Sequence, residues 1–276
     1  MSRHPVPLLF AICLLAPAPA LGQTTEHDSV EIIHAPAYKA TNAKTPDATA
    51  VAKLIVEKTN DFRVKEGRSR VTTNPKLTEA ATGFAAYMAK EGRFGHTADG
   101  SRPSERAAKQ GYEYCIVAEN IAYTFEPAGF TADELGKKLV EGWEKSPGHR
   151  RNMLDADVTE TGVAVAQSPT TGYYFAVQMF GRPKALALTF AVTNESAAAV
   201  SYRIGENSFS LPPRYTRTHE QCRPTEVVFE GVVGENEKKE QTLKAENGSR
   251  FVLTGDEGKV QVKKEQAPRP APIGKR

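Results

Sequence analysis

The chain has few cysteines, few histidines and one tryptophan: three, six and one in 276 residues. No stretch approaches the 18 consecutive apolar residues that would suggest a transmembrane helix. Three cysteines are too few for the densely bridged scaffolds of small secreted domains. Charge of one sign is also missing. Lys and Arg total 36 against 33 Asp and Glu, a net +3 spread along the chain, so there is no basic footprint for nucleic acid. The hydrophobic content of 39% is that of an ordinary soluble protein rather than a disordered chain. At this length a single core is near its practical limit, and two domains are expected.

The first 22 residues read as a secretion signal. Arg3 and His4 give a short basic start, Leu8 to Leu15 is apolar, and Ala20-Leu21-Gly22 places small residues where a signal peptidase cuts, with cleavage after Gly22. A secreted or periplasmic protein is expected. Cys13 is a poor lipidation site because the bulky Ile12 precedes it. Cleavage would leave Cys115 and Cys222 as the only thiols. Either they join, closing a loop of roughly 100 residues worth at most about 4 to 5 kcal/mol and tying two halves together, or they are two buried thiols.

Residues 23–48 read as a linker, rich in Thr, Ala, Pro and charge without periodicity. From Thr49 the apolar residues fall into helical stripes: Val51, Leu54, Ile55 and Phe62, then Leu77, Ala81, Phe84 and Met88. A short helix is expected over Pro103 to Gln110. Another is expected after a Thr131 cap, with Leu135, Leu139 and Trp143 on one face. Two compact apolar runs, Thr161 to Ala166 and Tyr173 to Phe180, then form a hairpin covered on both faces. After Pro183 short strands alternate with Gly, Asn and Pro clusters, so residues 184–265 read as a small β-sandwich or barrel. Residues 266–276, with three prolines and three basic residues, read as a disordered tail.

The chemistry-bearing residues lie in the first domain. Between Ala35 and Thr218 the only histidines are His96 and His149. His96 opens His-Thr-Ala-Asp-Gly, Glu119-Asn120-Ile121-Ala122 follows, and a Trp143 helix leads into Ser146-Pro147-Gly148-His149-Arg150-Arg151-Asn152. A closing Tyr-Tyr-Phe-Ala-Val-Gln-Met-Phe-Gly strand ends at Gly181. These four features in this order resemble the CAP superfamily (cysteine-rich secretory proteins, antigen 5 and pathogenesis-related 1 proteins; the SCP domain), and the short Ser-Pro-Gly-His-Arg form looks like its bacterial branch.

The resemblance covers residues 49–183 and implies an α+β chain: a three-layer α/β/α CAP sandwich followed by the small all-β domain. It also implies a cleft in which His96, Glu119 and His149 hold zinc or another divalent cation. The family's second glutamate does not carry over, since Ser146 stands at its place. Two imidazoles and a carboxylate suit zinc with one open position, but so does a metal-free cluster in which Glu119 accepts hydrogen bonds from the histidines. Asn120, Arg150 and Asn152 are expected to support the cleft.

Three functions follow. One is a non-enzymatic binding module for a small ligand, a lipid or an envelope protein, as family members have been linked to sterol or lipid binding. The second is a metal-assisted, peptidase-like hydrolase. The third is an envelope interaction protein acting through the β-domain. A catalytic triad of Ser146, His149 and Glu119 is an alternative chemistry, against which Ser146-Pro147 also reads as a helix N-cap whose hydroxyl is engaged by backbone.

Overall fold

A computed structural model describes residues 29–34, 44–233, 240–256 and 258–266. The expected signal peptide and the tail beyond Gln266 lie outside the described residues. The elements run β1 (Glu31–Ile32), α1 (Ala48–Lys65), β2 (Thr72–Thr73), α2 (Pro75–Glu91), β3 (Arg93–Phe94), α3 (Pro103–Lys109), β4 (Tyr114–Thr124), α4 (Ala132–Lys145), α5 (Pro147–Leu154), β5 (Glu160–Gln167) and β6 (Tyr174–Pro183). Eight strands follow: β7 (Leu188–Asn194), β8 (Val200–Ile204), β9 (Asn207–Leu211), β10 (Thr216–Gln221), β11 (Glu226–Glu230), β12 (Glu240–Lys244), β13 (Ser249–Thr254) and β14 (Gln261–Gln266).

The first half is a three-layer sandwich, because β5 and β6 are apolar on both faces and need a helical layer on each. Its sheet has the order β2-β5-β6-β4, with β2 parallel to β5 and the other pairs antiparallel. On one face α2 buries Leu77, Ala81, Phe84 and Met88 against Phe175, Val177 and Met179. On the other, α1 and α4 bury Val51, Ile55, Leu135, Leu139 and Trp143 against Val163, Ala176 and Phe180. Helix α2 lies so close to β5 that a Cβ on Gly162 would sit 2.2 Å from backbone atoms of Leu77 and Thr78.

Caps fix where the helices begin. Asn74 accepts from the Lys76 and Leu77 amides, and Thr131 and Glu134 form a reciprocal capping box. Residues 29–34, which the sequence places in a linker, instead carry β1, paired on β3 and anchored by buried Ile33.

The second half is a β-sandwich of two four-stranded sheets, β10-β7-β13-β14 and β12-β11-β8-β9. Phe190, Tyr202, Phe229, Phe251 and Leu253 fill the space between them. Cys115 and Cys222 are joined, with Cα atoms 5.1 Å apart, which resolves the open question of their pairing. Beside the bridge, Arg223 contacts Asp155 at 2.8 Å and Asp157 at 2.7 Å, and Lys184 pairs with Glu220. Among the described residues no helix is long and apolar enough to cross a membrane.

Candidate functional site

A half-open cleft of about 450 Å³ lies where the β3–α3 loop, β4, the α4–α5 junction and the β1 segment meet. His96, Glu119, Ser146, His149 and Asn152 all line it, together with Ser29, Glu31, Phe94, Gly95, Ile121, Gly148 and Arg151. Their positions follow from the fold. Glu119 projects from β4, His149 and Asn152 ride on α5, and His96 sits in the turn after β3. Gly95 has φ +148° and lies so near the segment that carries β1 that a Cβ there would be 2.9 Å from the Ser29 carbonyl oxygen, so this approach requires glycine.

The floor is a buried charge cluster. The Glu119 side chain is 1% exposed; its Oε1 lies 2.8 Å from His96 Nδ1, and its two oxygens accept from Arg106 at 3.0 and 2.8 Å. Arg106 also donates to Asp99 Oδ1, the Ser101 carbonyl and the His96 carbonyl, with its guanidinium 3.5 Å from the centre of the Phe84 ring. One guanidinium therefore fixes both the His96 loop and the carboxylate, as a rigid five-donor fork can.

The sequence reading missed Arg106. Its signal was an arginine on the inner side of a seven-residue helix whose exposed positions already carry Lys109 and Glu105. Asp99 also closes a turn, its carboxylate accepting from the Ser101 amide.

The amides complete the floor. Asn120 is fully buried and donates to the His149 carbonyl, while Asn152 donates to the Glu119 carbonyl and to Asn120 Oδ1. Trp143 is core, with its indole N–H on the Ile121 carbonyl. Arg150 does not line the cleft: it bridges to Glu66 at 2.9 Å and covers the Phe62 ring, bracing α5 against α1. Ser146 is the N-cap of α5, but its side chain makes no capping bond, which corrects the expected engagement of its hydroxyl. Glu119, the carboxylate that a Ser146–His149 triad would need, is taken by His96 and Arg106.

A divalent ion fits this donor set poorly. Among the described residues no three His, Cys, Asp or Glu side chains gather as a metal-holding group. Glu119, the one carboxylate in the expected ligand set, already has a permanent cation on both oxygens. A second cation there would face repulsion in a low-dielectric site.

The helix–sheet–helix layers and the His–Glu cleft define the class. The profile of the cysteine-rich secretory protein (CAP) family matches residues 56–180, so this part of the chain is a CAP domain. It is 30% identical over 118 residues to an uncharacterized membrane protein of Bacillus subtilis, YlbC, covering 42% of this chain and 32% of that protein. It is 28% identical over 155 residues to a second uncharacterized protein of that organism, YkwD, covering 53% of this chain and 57% of that one. The chain thus spans about a third to somewhat over half the length of these relatives. A crystal structure of an extracellular protein containing an SCP domain from Bacillus anthracis is 23% identical, with TM-score 0.42, covering 49% of this chain and 41% of that one.

Proposed function

We propose that this is an exported, non-enzymatic binding protein whose CAP cleft takes a small ligand without a resident metal ion. Export rests on the basic start, apolar run and small-residue cleavage site of residues 1–22. The observation that carries the binding reading is the Arg106 clamp. A buried carboxylate with both oxygens held by a guanidinium is a positioning group for His96, and it neither holds an ion nor serves as the base of a nucleophile.

Calorimetric titration of the mature protein with zinc, repeated on His96→Ala and His149→Ala, tests this reading. The expected result is no binding heat that either substitution removes. Zinc binding abolished by His96→Ala, together with peptide hydrolysis lost to a chelator, would establish the metal-assisted hydrolase instead.

A further inference from the structure

The hydrogen-bond inventory of the cleft gives it a polarity. The Glu119 oxygens accept from Arg106, so in the bond to His96 the ring donates through Nδ1, and in that tautomer Nε2 is an acceptor on the opposite edge. The His96 side chain is 37% exposed and lines the cleft, so that edge is reachable. Asn152 spends its amide nitrogen on two protein acceptors, Glu119 O and Asn120 Oδ1, which leaves its Oδ1 to accept as well.

The third acceptor comes from the β1 strap. Glu31 lines the cleft as an exposed carboxylate and is oriented by the Tyr123 hydroxyl, which donates to it at 3.0 Å. Burial and this carboxylate both push the Tyr123 phenol above its ordinary pKa, which keeps it a donor. Phe94 and Ile121 supply apolar wall between these polar groups, while Arg151, also in the lining, is exposed.

From this we infer that the cleft selects a primary ammonium group on a short apolar stem, with Glu31 countering its charge and His96 Nε2 and Asn152 Oδ1 accepting its hydrogens. The inference rests on the binding reading above and adds the class of ligand. It also makes residues 29–34 part of the site rather than a tether.

Amide chemical-shift titration of the mature protein with hexylammonium, 1-hexanol and hexanoate tests the assignment. Hexylammonium should shift Glu31, His96 and Asn152 saturably, with about tenfold tighter binding than hexanol and no saturable response to hexanoate. Glu31→Gln, which can still accept from Tyr123, should remove that preference, so that hexylammonium and hexanol bind this variant about equally. Hexanoate binding as well as hexylammonium would overturn the ammonium assignment alone. If none of the three shifts the cleft, the small-ligand reading falls with it. Zinc that displaces hexylammonium, and fails to do so in His96→Ala, would assign the acceptors to a metal ion.

Discussion

The two halves of the molecule use buried polar side chains differently. In the β-sandwich Asn194 closes nearby loops, bonding to Ser196, the Ala198 carbonyl and the Leu211 carbonyl, and the His219–Tyr202 pair links one sheet to the other without lining a cleft. In the CAP half such groups join distant elements. Glu119 meets His96 and Arg106, Asn120 meets His149, and Asn152 returns to Asn120. Arg63 is fully buried and reaches the Met153 and Asp155 carbonyls at the end of α5. A polar group buried for local closure stabilises one turn. A group buried for long-range convergence shapes a cavity, and only the CAP half does this around a cleft.

The sharpest way to break the comparison is to separate the halves. The Cys115–Cys222 bridge spans 107 residues and ties the start of β4, the strand that carries Glu119, to the end of β10. Replacing both cysteines by serine should remove up to about 4 to 5 kcal/mol, as expected for closing a loop of this length. Denaturant unfolding followed by Trp143, the only tryptophan, and by amide exchange at Phe229 should then give two midpoints where the bridged protein gives one. Coincident midpoints in the serine variant would mean that Arg223 and the remaining interface already couple the halves.

A somewhat smaller effect should be confined to one half. Arg106→Leu leaves Glu119 as a buried charge without its main partner, which costs about 3 to 5 kcal/mol. In the bridge-free serine variant, where the halves unfold separately, the Trp143 midpoint should fall while exchange at Phe229 and Leu253 in the sandwich is unchanged. Arg106→Lys should recover only part of the loss, since a lysine cannot bridge Asp99, the loop carbonyls and both Glu119 oxygens together. Equal destabilisation of both halves would refute the idea that this cluster belongs to the cleft.

These contrasts bear on what the sequence makes legible. Apolar period alone places α1, α2, α4, β5 and β6, because each buries an aliphatic or aromatic stripe on a core. Strands β10, Thr-Arg-Thr-His-Glu-Gln, and β12, Glu-Gln-Thr-Leu-Lys, carry almost no apolar pattern and are held by their neighbours' ladders, so hydropathy cannot find them. In the same way His96, Glu119 and His149 stand out by rarity and context, whereas Arg106 and Glu31 look like solvated surface charges. Their roles come from partners 13 and 92 residues away, a separation that no local window spans.

Acid should produce the smallest effect and sharpen the comparison at His219. This ring is buried, bonded through Nε2 to the Tyr202 hydroxyl at 2.8 Å and stacked on Phe190. Burial, with the nearby Arg217 charge second, holds its pKa below the ordinary 6.5. The unfolded chain therefore binds the proton first as pH falls, so the sandwich loses stability from about pH 6.5 down through the folded pKa, by at most about 1.4 kcal/mol per pH unit for one proton. Asp155 is shifted down chiefly by its hydrogen bonds from Arg223, so its contribution to the junction persists until pH drops below its ordinary 3.8. Between pH 7 and pH 5, the protection of the Phe229 and Leu253 amides relative to their intrinsic exchange rates should thus fall in the wild type, and His219→Phe should abolish that fall. An unchanged pH response in the variant would place the acid sensitivity outside the His219–Tyr202 pair.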